Sequence, residues 1–318
     1  MTTVAAVDCG TNAVRLLVAE VDADGTMHER TRLMRIVRLG EGVDRTGEFA
    51  PAALERTFTA LDEYAKVVDD LGVERIRFVA TSASRDVRNR QAFADGVRSH
   101  LGVDPEVITG TEEAELSFAG AILGLPAGRA ALPALVVDIG GGSTEFVLGS
   151  AVPEAAASVD IGCVRMTERH LRSDPPTADE IDLAWRDIED SVAVALAQVP
   201  AAGARSLVGL AGTVTTVSAM AMDLPAYEAD VLHGSTISAA EVGEVTRRLL
   251  AMTRAERAML PFMHPGRVDV IAGGAMILDA IVRAGGFVEV VVSETDILDG
   301  IVYRLRPQET SLTVQPFM

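Results

Sequence analysis

Short apolar runs separated by turn residues characterise the first 38 residues of the chain. Val4–Asp8 and Arg15–Val21 are rich in valine and leucine, and the turn Cys9-Gly10-Thr11-Asn12 lies between them. Asp24-Gly25 then leads into a third run, Thr26–Val37. Runs of this length, separated by residues that favour tight turns, predict three consecutive β-strands.

After Pro51 the spacing of apolar residues becomes that of an amphipathic helix, which Gly72 closes. Strands and helices then alternate along the chain. The predicted elements are a strand Ile76–Ala80, a helix Asp86–Leu101, a strand Glu106–Ile108 and a helix capped by Thr111 that ends near Leu123. This alternation is typical of an α/β protein.

The opening pattern returns about 130 residues later. Ala134–Ile139 is again an apolar strand with an aspartate near its end, and the glycine turn Gly140-Gly141-Gly142-Ser143 and the strand Thr144–Leu148 follow it. The stretch Leu123–Ala134 between the halves is rich in glycine and proline and is predicted to be a hinge. An internal repeat of this size indicates two related domains. Later predicted elements are strands Ala155–Ile161, Ser206–Leu210 and Val288–Val292, and helices that begin at Thr177 and Ala211 or span Val268–Arg283 and Ile297–Leu305.

The charge of the chain excludes several classes of partner. Its 318 residues include 28 basic and 46 acidic side chains, a formal charge of −18, which repels nucleic-acid backbones and anionic membranes. No apolar run approaches the ~18–20 residues that span a bilayer, and the first residues lack the features of a secretory signal. Cys9 and Cys163 are too few for a disulfide framework. We therefore expect a soluble cytoplasmic protein that binds neither nucleic acid nor membrane.

Three glycine turns are candidate phosphate-binding sites: Gly10-Thr11-Asn12, Gly140–Ser143 and Gly212-Thr213. Each follows an apolar strand, and successive backbone N–H groups in such turns form concave sites for anions. One such turn alone is more often structural, but three of them, two related by the repeat, favour phosphate. The dinucleotide spacing GxGxxG is absent, and the single lysine, Lys66, has no glycine run before it, which excludes a GxxxxGK[ST] loop.

Carboxylates lie beside two of these turns. Asp8 and Asp138 are near the ends of their strands, and Glu145 follows Ser143 by two positions. Carboxylates next to bound phosphate suit Mg²⁺, although aspartates at such positions also cap turns. The five histidines show no spacing typical of a metal site.

Glu112 and Glu113 fall in the first turn of a predicted helix, where acidic residues interact favourably with the helix dipole without any catalytic role. Arg85, just past a strand end, could bind phosphate with its guanidinium or form a surface ion pair with Asp86. The residues alone leave both alternatives open.

Taken together, these segments resemble the exopolyphosphatase/guanosine pentaphosphate phosphatase family, a branch of the actin-like, sugar kinase and Hsp70 ATPase superfamily. The resemblance covers nearly the whole chain. It rests on Asp8–Asn12, Ala80-Thr81-Ser82 through Arg85, Gly110–Leu116, Val137–Glu145, Gly209–Thr213, Pro265–Asp269, Gly273-Gly274 and Ser293–Gly300. The Glu-Glu-Ala segment combined with Asp-Ile-Gly-Gly-Gly-Ser-Thr-Glu makes it specific.

The resemblance implies two actin-like, ribonuclease H-like α/β domains with the active site in the cleft between them. We expect them at 1–123 and 124–294, with a C-terminal helix at about 295–308 that packs back on the first domain. Glu113 aligns with the water-activating carboxylate, and Asp8, Asp138 and Glu145 with the ligands of Mg²⁺, for which Mn²⁺ is an alternative. Phosphate contacts are expected from Gly10, Thr11, Asn12, Arg85, Gly140, Gly141, Gly142, Ser143, Gly212, Thr213 and Arg267.

The implied activity is Mg²⁺-dependent removal of terminal phosphate from inorganic polyphosphate, by a homodimer. The alternatives are the same hydrolysis on guanosine pentaphosphate (pppGpp), an ATP-dependent kinase of the same superfamily, and a non-catalytic phosphate sensor. Two departures from the family pattern stand out. Thr11 replaces a common serine, and Asp296 and Leu298 lie where relatives commonly carry Leu-Arg-Glu-Gly, so that an arginine is missing there.

Overall fold

The computed structural model describes residues 1–85 and 87–305. Asp86 lies outside the described residues, and with it the predicted start of the helix Asp86–Leu101 and the alternative ion pair of Arg85. The part of the predicted C-terminal helix beyond 305 also lies outside them. No helix within the described ranges is both long and apolar enough to cross a membrane.

The first half of the chain forms a five-stranded sheet in the order β3-β2-β1-β4-β5. Its strands are β1 (Thr2–Cys9), β2 (Ala13–Val21), β3 (Met27–Ile36), β4 (Arg75–Ala80) and β5 (Glu106–Val107). The first three strands are antiparallel neighbours, whereas β4 and β5 continue in parallel from β1. The helices are α1 (Val43–Thr46), α2 (Pro51–Asp70), α3 (Ser82–Arg85), α4 (Arg90–Leu101) and α5 (Gly110–Gly124).

The second half forms a six-stranded sheet in the order β10-β11-β9-β6-β7-β8. Its strands are β6 (Ala134–Ile139), β7 (Thr144–Gly149), β8 (Pro153–Val159), β9 (Ser206–Leu210), β10 (Thr236–Ser238) and β11 (Glu289–Val292). The helices are α6 (Cys163–Arg169), α7 (Ala178–Gln198), α8 (Ala211–Ala221), α9 (Ala229–Leu232), α10 (Ala239–Ala251), α11 (Arg254–Ala258), α12 (Ile271–Gly285) and α13 (Ile297–Arg304), with 3₁₀ turns at Ala201–Gly203 and Pro265–Arg267.

The two sheets share one topology. In each, an antiparallel three-stranded meander is extended in parallel from its first strand, so that β8-β7-β6-β9-β11 repeats β3-β2-β1-β4-β5 and β10 adds an antiparallel edge. The predicted α/β fold class is therefore confirmed. Because β1 and β6 occupy equivalent central positions, the glycine turns that follow them are also equivalent.

Helices α5 and α13 lie against each other between the two sheets. Ala114 and Phe118 of α5 pack in the core beneath the second sheet, whereas Leu116 joins the core formed by α13 and the first sheet. The helices approach closely because of two glycines. A Cβ on Gly120 would lie 1.8 Å from the carbonyl oxygen of Asp296, and one on Gly300 would lie 2.0 Å from that of Leu116.

Three local predictions are wrong. The helix predicted over Asp86–Leu101 begins only at Arg90, since Val87 lies outside it and Arg88-Asn89 form a turn. The cap of α5 is Thr109 rather than Thr111, since the Thr109 hydroxyl accepts a hydrogen bond of 3.1 Å from the Glu112 amide. The helix predicted to begin at Val268 begins at Ile271, because the proline and glycine of Pro265–Arg267 form a separate 3₁₀ turn.

Candidate active site

The two equivalent glycine turns face each other across the cleft. Each is closed by the same backbone hydrogen bond, from Gly10 N to Ala13 O at 2.9 Å in one and from Gly140 N to Ser143 O at 3.0 Å in the other. The turns are in contact, since a Cβ on Gly142 would lie 2.6 Å from Thr11 Oγ1. Only glycine, which has no Cβ, fits where the two turns approach each other.

A cavity of about 120 Å³ lies between these turns and the start of α8. Most of the predicted site residues line it: Asp8, Gly10, Thr11, Asn12, Glu113, Asp138, Gly140, Gly141, Gly142, Ser143, Gly212, Thr213 and Arg267. Arg85 and Glu145 do not line it, but both hydrogen-bond to Ser143, which does. The structure thus brings residues from both sheets to one site.

Glu113 lies in the first turn of α5 and is buried, with 8% of its surface exposed. Its Oε2 accepts a hydrogen bond of 2.6 Å from Arg85 Nη1. Burial raises the pKa of Glu113 to about 7, and the charges of Asp8 and Asp138 add to this effect while Arg85 opposes it. A carboxylate with such a pKa can accept a proton near neutral pH.

Two further carboxylates face each other on adjacent strands. Asp138 of β6 is the antiparallel partner of Glu145 of β7, and like charges in this position destabilise a sheet. Three hydroxyls compensate in part. Ser117 donates to Asp138 at 2.7 Å, and Ser143 and Ser158 donate to Glu145 at 2.7 and 2.8 Å. Burial nevertheless raises the pKa of Asp138 to about 6, and burial together with Glu113 raises the pKa of Glu145.

In the first sheet the equivalent pair has opposite charges. Asp8 of β1 is the antiparallel partner of Arg15 of β2, whose Nε and Nη2 donate to Asp8 Oδ2 at 3.0 and 2.6 Å. Arg15 also forms an ion pair with Asp296, the N-cap of α13. Arg15 was not among the residues predicted from the sequence, although its place seven residues after Asp8 across a hairpin matches that of Glu145 after Asp138.

The donor set fits a hard divalent cation. Asp8 Oδ1 and Glu145 Oε2 are buried oxygens without a hydrogen-bond partner among the described residues, and a cation would relieve the repulsion between Asp138 and Glu145. Within 1–85 and 87–305, however, no three His, Cys, Asp or Glu side chains form a ready-made metal cluster. Mg²⁺ needs only one or two carboxylates when phosphate oxygens complete its coordination. The metal ligands therefore stay a prediction.

Arg267 differs from the other arginines of the site. Its guanidinium lies over Gly212, where a Cβ would come within 2.3 Å of Arg267 Cζ. Its Nη1 donates to Thr216 Oγ1 at 3.1 Å, and no carboxylate of the described chain forms an ion pair with it. Arg85 and Arg15, in contrast, are bound to carboxylates. Arg267 is thus placed to bind an incoming anion.

A second cavity of about 530 Å³ adjoins the first. It shares Arg15, Gly212 and Arg267 with the first cavity, and its walls include the aromatic side chains of Tyr227 and Phe262. Nothing in the sequence pattern indicated it, because its lining residues come from distant segments that only the fold brings together.

The chain is similar to several known proteins. The chain is 52% identical over 317 residues to Exopolyphosphatase 2 of Mycobacterium tuberculosis, and the match covers 96% of this chain and 99% of the relative. It is 26% identical to a guanosine-5'-triphosphate,3'-diphosphate pyrophosphatase of Photobacterium profundum, over 95% of this chain and 59% of that protein. A crystal structure of an exopolyphosphatase-like protein superimposes with a TM-score of 0.92 at 43% identity, over 96% of this chain and 100% of the other.

The family model described as the Ppx/GppA phosphatase family matches residues 17–309, which is most of the chain. That span includes Glu113, the second glycine turn and Arg267, the groups that meet in the cleft. The chain therefore belongs to the Ppx/GppA phosphatase family.

Proposed function

We propose that the protein is an exopolyphosphatase that hydrolyses the terminal phosphoanhydride bond of inorganic polyphosphate and releases orthophosphate. The observation that carries the proposal is the position of Glu113, a buried carboxylate with a pKa of about 7 beside two facing phosphate turns. The likeness to Exopolyphosphatase 2 over almost the full length of both chains supports the same substrate.

In the proposed reaction, a water molecule attacks the terminal phosphorus in line with the bridging oxygen. Glu113 accepts the proton of this water, and Arg85 fixes the orientation of its carboxylate. The backbone amides and hydroxyls of the two glycine turns bind the phosphoryl oxygens, and Arg267 balances the negative charge of the polyphosphate. The bridging P–O bond breaks, and the shortened polyphosphate leaves as the anion.

We assign the divalent cation to Asp8, Asp138 and Glu145, with Mg²⁺ as the first choice and Mn²⁺ as the alternative. When bound, the cation neutralises charge on the transferred phosphoryl group. The serine hydroxyls that hold Asp138 and Glu145 orient these two carboxylates for that purpose.

Hydrolysis of pppGpp is the second candidate function, and the larger cavity favours it. Inorganic polyphosphate has no apolar part, whereas this cavity has aromatic walls and joins the phosphate site at Arg267. Its volume of about 530 Å³ falls in the range of small-molecule sites. The likeness to a guanosine-5'-triphosphate,3'-diphosphate pyrophosphatase also favours this activity.

Phosphate release from polyphosphates of defined length and from pppGpp, measured in parallel, tests both functions. Release from polyphosphate in water with Mg²⁺ supports the first function, and faster release from pppGpp supports the second. If neither substrate is hydrolysed, both are wrong. Phosphate transfer from ATP to an acceptor would then indicate a kinase, and polyphosphate binding without release would indicate a sensor.

We also propose domains at 1–123 and 124–294, a hinge at 123–134, a homodimer and a cytoplasmic location. Contacts of α13 with β1 and β2 support the placement of the C-terminal helix on the first domain. The net charge of −18 supports a protein that avoids nucleic acid.

A further inference from the structure

Three buried hydroxyls in the first half of the chain lack a hydrogen-bond partner among the described residues. They belong to Thr11, Ser82 and Ser84. A buried hydroxyl without a partner costs folding free energy, so such groups are rare and require an explanation. Thr11 lies in the first phosphate turn, whereas Ser82 and Ser84 both lie in α3, for which the sequence suggested no role besides that of Arg85.

The hydroxyl of Ser82 converges with that of Thr11 on the second phosphate turn. A Cβ on Gly142 would lie 2.7 Å from Ser82 Oγ and 2.6 Å from Thr11 Oγ1. Ser82 also lines the cavity of about 120 Å³, together with Glu113 and the two glycine turns. Two hydroxyls therefore meet the same face of Gly142 at the place where the phosphate turns approach each other.

The donors that face this cavity fit an anion as the missing partner, once a divalent cation offsets the nearby carboxylates. Arg15 and Arg85 are already bound to Asp8, Asp296 and Glu113, so the neutral hydroxyls of Thr11 and Ser82 add to the turn amides and Arg267 as available donors. A hydroxyl can donate to a phosphoryl oxygen without the repulsion that a carboxylate would add.

We propose that Ser82 is a substrate-binding residue, whose hydroxyl donates to a phosphoryl oxygen held between the turns Gly10–Asn12 and Gly140–Ser143. With Thr11 it forms a pair of donors contributed by the first half of the chain. This inference rests on the proposed function for the identity of its ligand, a condensed inorganic phosphate.

Ser84 provides a matched control on the same helix. It is fully buried, and its hydroxyl has no partner among the described residues, but it does not line the cavity. Ser82→Ala and Ser84→Ala each remove one buried hydroxyl that has no partner. Both variants should therefore be at least as stable as the parent in thermal unfolding without ligand.

Only Ser82→Ala should affect the ligand. In a Glu113→Gln background with Mg²⁺, calorimetric titration with inorganic tripolyphosphate should show roughly tenfold weaker binding for Ser82→Ala and unchanged binding for Ser84→Ala. In the active protein, kcat/KM for polyphosphate should fall by about the same factor in Ser82→Ala alone. If Ser82→Ala and Ser84→Ala bound tripolyphosphate with the same affinity, whether equal to that of the parent or equally weakened, Ser82 would not be a substrate-binding residue.

The unmodified protein separates this inference from the proposed function. If it releases no phosphate from polyphosphate or pppGpp, the proposed hydrolysis is wrong, yet the tripolyphosphate titration still decides whether Ser82 binds a condensed phosphate. If it releases phosphate and Ser82→Ala matches Ser84→Ala in titration and turnover, only the role of Ser82 is wrong.

Discussion

Glu113 and its neighbour Glu112 share one helical turn but face different surroundings. Glu113 is buried beside the glycine turns, whereas Glu112 is a third exposed and forms an ion pair with Arg77 at 2.8 Å. Glu113→Gln keeps the shape of the side chain but cannot accept a proton. We expect it to lower kcat by about 10²–10⁴, with little change in substrate binding.

Glu112→Gln is the control for this substitution, since it removes a carboxylate from the same turn of α5 but outside the cavity. It should keep near-normal turnover in the same phosphate-release assay. If Glu113→Gln turned over at the rate of Glu112→Gln, Glu113 would not be the base.

The raised pKa of Glu113 predicts how activity depends on pH. Because burial favours the protonated acid, most of the free enzyme is inactive at pH 6, and kcat/KM should rise about tenfold per pH unit before levelling above pH ~7. Arg85 lowers this pKa, so Arg85→Ala should move the rise to higher pH. A pH profile of kcat/KM at fixed Mg²⁺ measures both. An unchanged profile in Arg85→Ala would contradict the assignment.

Residue types and spacing predicted most of the residues that line the smaller cavity, because strand, glycine turn and strand form a local unit whose geometry depends on few distant contacts. Glu113 and Arg267 were expected only from the family resemblance. The identity of the residue seven positions after each aspartate then determines its partner, Arg15 for Asp8 and Glu145 for Asp138. The ion pair between Arg15 and Asp296 could not be predicted in this way, since 281 positions separate the two residues and only the packing of α13 brings them together.

Segment 38–46, which contains α1, connects the first sheet to the second glycine turn, Gly140–Ser143, through α6. Asp44 forms ion pairs with both Arg165 and Arg169, the latter with Nε at 2.7 Å from Asp44 Oδ2. The hydrogen bonds from Arg169 are the main cause of the lowered pKa of Asp44, although its partial burial opposes them. Arg165 also donates to the carbonyl oxygen of Gly142 at 2.7 Å. The segment therefore holds α6 and the turn in one arrangement.

Asp44→Asn should weaken this connection. Replacing a carboxylate that accepts from two arginines should lower the free energy of unfolding by about 1 kcal/mol and speed amide exchange in 38–46. Denaturant titration and hydrogen exchange measure these effects. Glu48→Gln serves as the control, because the ion pair of Glu48 with Arg88 is more than half exposed on both sides and should contribute nothing measurable. Equal behaviour of the two variants would show that Asp44 has no such role.

At the level of elements, the alternation of strands and helices could be predicted from the sequence, because each strand is bounded by turn residues. The position of α5 between the two sheets could not be predicted. Its buried residues point to both sheets, with Phe118 on one side and Leu116 on the other, so the helix lacks the single apolar face that would indicate its partner. The contact between α5 and α13 depends on Gly120 and Gly300, whose importance emerges only when the two helices are seen together.

The excess of acidic over basic side chains, which gives the protein a net charge of −18, extends into the cleft. The carboxylates of Asp8, Glu113, Asp138 and Glu145 outnumber the arginines beside them, and Arg15 and Arg85 are already paired. Phosphate contacts were expected from both Arg85 and Arg267, but Arg85 is bound to Glu113, whereas Arg267 forms no ion pair among the described residues. A polyanion can enter such a site only where a cation offsets these carboxylates.

Substrate binding, and not only hydrolysis, should consequently require the divalent cation. In Glu113→Gln, tripolyphosphate should bind with Mg²⁺ and lose at least about tenfold in affinity when EDTA replaces it. Arg267→Ala should weaken binding with Mg²⁺, whereas Arg98→Ala should not, because Arg98 lies at an exposed site paired with Asp95 and Asp104. Both substitutions lower the net charge by one. An equal loss of affinity in the two would mean that the whole-molecule charge controls binding, while a loss confined to Arg267→Ala would place that control in the cleft.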